Sequence, residues 1–247
     1  MPRFIDDAIC LRELEWSETS QVLVFLTKEH GKVRGIAKGS KRQSPSAVQR
    51  FSGGVALLTA GQVVATTRPS RELASITEWD LQEDFFTLRR DLLAQRRAML
   101  AVDLVNALLA DLDPHGDVFG LLRALLDALC SSDAAAGDGA LLRFLWGLLD
   151  GLGYRPELQR DVRGGGALAD EAAYTFDPDG GGLTAERGIA DWRVRAATVR
   201  TLRAVADSGE SQTLDPPSVT RANRLLCVYA RHLLGRELPT MRVVLRG

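Results

Sequence analysis

Lysine is scarce in this chain and concentrated where it occurs. All four copies, Lys28, Lys32, Lys38 and Lys41, lie within fourteen residues, while arginine appears 27 times along the full length. Arg34, Arg42 and Arg50 share the same window and Glu29 is its one acidic residue, so residues 28–50 form a positive island on a chain of formal net charge -1. Cations at this density neutralise phosphates and bind polyanions without reading sequence. Strand alternation sharpens the reading. Across residues 32–38, Val33, Gly35 and Ala37 face one way and Lys32, Arg34, Ile36 and Lys38 the other; Lys41 and Arg42 carry the charge into a Gly/Ser/Pro loop. One face suits a core and the other a nucleic-acid backbone. The bland counterpart is a solvated strand whose lysines discourage edge aggregation. Trp16, Phe25 and Phe51 are candidates for stacking on bases. Aromatics in a small barrel ordinarily fill it, and core positions are expected for all three.

A second cationic stripe lies near the C-terminus. At 100° per residue, Arg221, Arg224 and Arg231 fall within roughly 80° of helical arc. His232 and Arg236 lie near the end of the same segment, where cations suit the helix dipole. A solvated helix face and a contact with DNA or a protein partner both fit this stripe.

Catalytic signatures are missing. Gly35-Ile-Ala-Lys-Gly-Ser-Lys41 has glycines and lysines in the wrong order for a P-loop, and neither G-x-S-x-G nor H-E-x-x-H occurs. The three histidines, His30, His115 and His232, are far apart. Asp6-Asp7 and Glu83-Asp84 read as solvated or capping groups. The expectation is a protein that is not an enzyme and uses no cofactor.

The first 80 residues read as short strands at 8–12, 21–27, 32–37, 54–58, 63–67 and 73–78, punctuated by Gly31, Gly39, Gly53-Gly54, Gly61 and Pro69. That pattern fits a small barrel of the OB type. From Leu81 the period becomes helical, through Phe85, Leu88, Leu92, Leu93 and on to Leu112, ended by Asp113-Pro114. Asp117 is positioned to cap a second helix and Asp138 a third that runs to Leu149, with a polar loop over 131–139 between them. Residues 154–188 look like an irregular insertion. Helical character returns at 189–206, and Pro216-Pro217 precede Ser218, a candidate N-cap for a helix to about Leu234 with Gly235 at its C-terminal end. The fold class is α+β: an N-terminal OB-type barrel over 1–80 and an α-helical domain over 81–247, with 154–188 a loop-rich insertion.

Cys10, Cys130 and Cys227 form no C-x-x-C pair and no even framework, which favours a reducing compartment and small core roles for each. No leader pattern and no long apolar run stands out, so a cytoplasmic protein without membrane contact is expected. Charge is partitioned: residues 1–80 carry 11 basic and 9 acidic groups, 81–190 carry 10 and 18, and 191–247 carry 10 and 5. A basic head, acidic middle and basic tail imply surfaces with different partners.

The run Ala8-Ile-Cys-Leu-Arg, then Glu18-Thr-Ser, then Leu26-Thr-Lys-Glu-His-Gly-Lys-Val-Arg-Gly-Ile-Ala-Lys-Gly39, resembles the RecO family of bacterial recombination-mediator proteins. Leu-Gly-Tyr-x-Pro within Leu148–Pro156 and Tyr229-Ala-Arg-His-Leu-Leu-Gly-Arg-Glu-Leu agree with it, and order and spacing match across nearly the whole chain. The resemblance implies a DNA repair and recombination mediator that binds single- and double-stranded DNA and anneals complementary strands. It also implies docking of the acidic C-terminal tail of single-stranded DNA-binding protein and association with RecR, which together help RecA load, in a nucleoid-associated cytoplasmic setting. On this likeness Lys28, Lys32, Arg34, Lys38, Lys41 and Arg42 carry over as DNA contacts, with Arg50 beside them. Many family members hold a four-cysteine zinc site in the segment matching 156–188. Here the equivalent places, approximately Asp161, Gly164, Ala185 and Gly188, have no thiol, so no zinc is expected. The insertion must be held by packing of Tyr174, Phe176 and Leu183, or be loose; its glycines favour the latter. The rival readings are an OB-fold RNA-binding protein and a protein-interaction scaffold whose basic window meets acidic tails.

Overall fold

The computed structural model describes residues 3–52, 54–68, 72–131, 134–186, 192–207 and 215–246. Contacts divide the chain into two compact units, Met1–Cys130 and Ser131–Gly247. In the first unit, β1 (Arg3–Ser17), β2 (Ser20–Thr27), β3 (Gly31–Ala37), β4 (Ala60–Thr66) and β5 (Ala74–Glu83) close into a barrel of order β1-β2-β3-β5-β4. All neighbours are antiparallel except β3 and β5, which pair in parallel from Gly35↔Ala74 to Ala37↔Ile76. This is the five-stranded OB arrangement. Its interior is packed by Cys10, Leu23, Phe25, Val33, Val63, Ile76 and Trp79.

The strand limits differ from those expected. Residues 54–58 are not a strand, and a short helix α1 (Pro45–Phe51) occupies the loop before them, its Phe51 buried with the barrel core. β1 is far longer than 8–12 because two bulges, with Leu11 and Trp16 as the extra residues, let it curl while it stays paired with β2. β5 runs past the period change at Leu81, and a 3-10 turn (Phe86–Arg90) separates it from α2 (Leu92–Leu108). Asp91 starts α2, its carboxylate accepting from the amides of Leu93 (2.8 Å) and Ala94 (3.1 Å). Helix α3 (Gly116–Ser131) completes the sequence, with Asp117 in its first turn.

The end of α2 accounts for one expected site residue. Lys32 lies on the outward face of β3, as alternation requires, yet it is 7% exposed. Its ammonium donates to the carbonyls of Asn106 (2.8 Å) and Leu109 (2.6 Å) and pairs with Asp111 at 3.1 Å. A helix leaves its last carbonyls without partners, and Lys32 satisfies two of them. Lys32 is therefore not part of an open cationic face. Next to it, Gly31 at φ +69° passes so close to Asp113 that an added Cβ would lie 2.1 Å from its carbonyl oxygen.

In the second unit, α4 (Ala134–Gly151) begins before Asp138 and takes up most of the expected polar loop over 131–139. The insertion contains β6 (Ala173–Asp177) and β7 (Gly182–Thr184), which form a three-stranded sheet of order β7-β6-β8 with β8 (Trp192–Arg195). β8 takes the start of the segment read as helical from 189, and α5 (Ala196–Asp207) follows it. Gly188 and residue 189 lie outside the described residues. Helix α6 (Pro216–Leu234) is capped by Asp215 rather than Ser218: the Asp215 carboxylate accepts from the Ser218 amide at 3.0 Å and its hydroxyl at 2.6 Å. Gly235 at φ +65° ends it as expected. α6 packs against α4 and α5, and Asn223 donates to the carbonyl of Asp138 at 3.0 Å.

Replacing Lys32 by methionine should cost about 2–4 kcal/mol, because two carbonyls and the Asp111 carboxylate lose a buried partner. Urea denaturation of the full chain measures this; an unchanged midpoint would contradict the role assigned to Lys32.

Candidate nucleic-acid interface

Directly paired residues of neighbouring strands project to the same side. Register therefore defines the outer surface of β1, β2 and β3 row by row. Ile9, Leu26 and Lys32 make a row that is entirely buried, α2 packing against β1. Arg12, Val24 and Arg34 make the next, and Leu14, Val22 and Ile36 the third. Arg12, Leu14 and Arg34 are exposed. Between them on β2, Val24 and Val22 are buried, and Ile36 is half-buried, so the open half of the outer sheet presents its exposed side chains along β1 and at Arg34, and the boundary with the covered half runs between Lys32 and Arg34. Asp111 sits on that boundary, 3.7 Å from Arg34 on one side and bound to Lys32 on the other.

The turn after β3 borders the open half. It is tied to the β1–β2 turn by the Lys41 amide donating to the Thr19 carbonyl (3.2 Å) and the Gly39 amide donating to the Ser20 hydroxyl (3.3 Å). The Ser40 hydroxyl donates to Gln21 Oε1 at 2.9 Å. Lys38, Lys41 and Arg42 stand exposed on this braced turn. Lys38 has no hydrogen bond or ion pair among the described residues. Lys41 meets Glu15 at 2.5 Å, and that hydrogen bond holds the Glu15 carboxyl below its usual range. Arg68 is exposed just past the end of β4.

The seven expected cations are therefore not one patch. Arg34, Lys38, Lys41 and Arg42 lie along the outer side of β3 and the turn after it, and Arg12 joins them through the Arg12–Val24–Arg34 row. Lys28 is exposed but sits at the opposite end of β3, about 20 Å away by strand rise. There Asp6 accepts from the amides of Glu29 and His30 (2.9 and 3.1 Å), and the local charge is mixed. Arg50 lies on α1, its guanidinium over the Phe51 ring at 5.5 Å. Phe25 and Phe51 fill the core as expected, but Trp16 is 64% exposed.

The second unit carries its own basic groove of about 420 Å³. Arg221, Arg224 and Arg231 of α6 form one wall and Arg193 and Arg195 of β8 the other, over Trp192, Val194, Leu225 and Val228; no acidic residue is among the described lining residues, though Arg221 pairs with Asp215 at 3.8 Å and Arg231 with Glu237 at 3.4 Å. Arg236 is not part of it. Arg221 is held by the Ser218 hydroxyl at 2.7 Å and Arg224 by the Leu245 carbonyl at 2.6 Å. Arg193 and Arg195 are exposed and without ion pairs among the described residues. Sequence reasoning missed both because β8 was hidden inside a segment with helical composition.

Family comparison decides which proteins share this arrangement. The model described as Recombination protein O N terminal matches residues 1–85, and Recombination protein O C terminal matches residues 89–242. The chain belongs to the RecO family. The DNA repair protein RecO of Myxococcus xanthus is 31% identical over 246 residues, 98% of this chain and 96% of that relative. The proteins of the same name from an Anaeromyxobacter species and from Halorhodospira halophila are 31% and 30% identical, covering 95% and 92% of this chain and 92% and 91% of their own lengths.

The residues present do not fit the four-cysteine zinc site that the resemblance implies. No group of three or more His, Cys, Asp or Glu residues among those described is arranged to hold a metal. At the matching positions, Gly164 and Ala185 offer only backbone, and Asp161 is already engaged. One of its carboxylate oxygens accepts from the amides of Arg163 and Gly164, both 2.9 Å, and the other from the amide of Ala185 at 2.9 Å. These bonds, that of Gly164 foremost, hold the Asp161 carboxyl far below the ordinary range. A single side chain thus ties the 161–164 turn to the end of β7. Arg163 reinforces it by binding Asp177 at 2.7 Å, and Tyr174, Phe176 and Leu183 are buried, against the looseness that the glycines suggested. The module is built around an anion, not left loose.

A folded pKa depressed below the unfolded value gives a stabilisation that is present above about pH 4 and is lost as pH falls toward the folded pKa. Asp161→Ala should therefore speed proteolytic nicking between residues 154 and 195 at neutral pH, narrowing the difference from the parent protein in acid, while chelators leave both unchanged. Equal nicking rates at neutral pH would refute the role of Asp161.

Proposed function

We propose that this RecO-family protein is a non-enzymatic, nucleoid-associated repair mediator whose barrel binds DNA through its open half-face. The observation that carries the reading is the placing of exposed Arg12, Arg34, Lys38, Lys41 and Arg42 along the outer side of β1 and β3 and the turn after β3, the strand face such barrels use for oligonucleotides. Phosphates of single- or double-stranded DNA are its ligands. Annealing follows from screening the repulsion between two complementary strands and calls for no nucleotide hydrolysis. The groove of the second unit supports docking of an acidic peptide tail, such as that of single-stranded DNA-binding protein: guanidinium groups on both walls suit carboxylates, and Trp192, Val194 and Leu225 suit an apolar end. With RecR, such a protein would help RecA onto coated strands.

Anisotropy of labelled single-stranded DNA over a salt series tests the barrel. Arg34→Glu with Lys38→Glu should weaken binding and flatten the dependence of log affinity on log salt by about 0.7 for each lost phosphate contact. An unchanged slope would remove the open half-face from the interface. Arg193→Glu with Arg195→Glu should instead weaken binding of an acidic peptide ending in phenylalanine several-fold and leave the barrel's DNA affinity intact, as titration of the two ligands in parallel will show.

A further inference from the structure

Trp16 stands apart from the other tryptophans. Trp79 and Trp146 are buried, and Trp192 stacks on Phe176 with ring centroids 5.6 Å apart. Trp16 is 64% exposed and has no aromatic partner among the described residues. It is also the unpaired extra residue of a β-bulge: Glu15 faces Gln21 and Ser17 faces Ser20, so no residue of β2 lies opposite Trp16. A bulge re-aims a side chain and twists the strand locally, and here it lies at the mouth of the open half-face. Trp16 follows Arg12 and Leu14 in the alternation of β1. It directly precedes the β1–β2 turn, which is braced against the cationic turn through Thr19 and Lys41.

We propose that Trp16 is a stacking post for an unpaired base, so that the open half-face takes single-stranded DNA in preference to duplex. The inference rests on the reading of this face as the DNA interface and deepens it. An indole plane offers a base the same apolar partner that its neighbour in a strand would, and stacking of this kind tolerates any base. The surrounding cations hold the adjoining phosphates, so affinity divides between a salt-sensitive part and a salt-insensitive part. In a duplex each base face is already stacked and only the phosphates remain to be bound. The indole then contributes discrimination between paired and unpaired strands, which the cations cannot supply.

The experiment uses the full-length chain and four labelled probes of equal length: a thymidine strand, the same strand with abasic sugars, a duplex, and a uridine RNA strand. Trp16→Ala should weaken binding of the thymidine strand about 5- to 150-fold, leave the abasic strand and duplex unchanged, and leave the salt slope as it was. Trp16→Phe should restore most of the loss. Because the side chain is exposed, the melting temperature should not move. Equal losses on abasic and normal strands, or no loss on either, would overturn the stacking role. If Arg34→Glu with Lys38→Glu weakens binding while Trp16→Ala does not, stacking alone fails. If neither does, the barrel interface fails with it. RNA bound as tightly as DNA, with the same dependence on Trp16, would overturn the choice of DNA.

Discussion

The barrel depends on one short parallel ladder. Three residues of β3, Gly35 to Ala37, pair with Ala74 to Ile76 of β5 and turn an open meander into a closed barrel. Closure leaves no free edge for another chain to add to. It demands a glycine at 35, where a Cβ would lie 2.6 Å from the Ile76 side chain. It also fixes the end of β3, and with it Arg34 and the cationic turn that follows, against the start of β5.

Within that frame, neighbouring cations of one strand face take different duties. Lys32 and Arg34 are two residues apart and project to the same side. The first completes the hydrogen bonding of a helix C-terminus, and the second remains 53% exposed at its side chain. A buried ammonium holds its place only where carbonyls and a carboxylate meet it. The end of α2 supplies these at Lys32 and stops short of Arg34. Charge on a strand is thus structural or functional according to what another element covers.

The second unit shows a different economy. A single carboxylate accepting three backbone amides joins two turns here, and the surrounding sheet brings two arginines of β8 opposite three of α6. Both features need backbone atoms from segments over twenty residues apart in the chain. Glycines that suggested looseness instead permit close approach: Gly181, at φ +69°, leaves room for the hydroxyl of Tyr229.

By itself the sequence determined the OB-type barrel, the main helices around their apolar stripes, the alternation within β3, the common face of Arg221, Arg224 and Arg231, and the family, though not the short helix at Pro45–Phe51 or the strand β8. These follow from periodicity and local residue chemistry, which act over a few positions. Only the tertiary structure decided that Lys32 is buried, because its partners lie more than seventy residues away. It alone put Lys28 at the far end from Lys38, joined Arg12, Arg193 and Arg195 to the basic surfaces, and freed Trp16 from the core. Those outcomes depend on bulges, register and the coverage of one element by another, quantities set by the sum of long-range packing rather than by any local pattern.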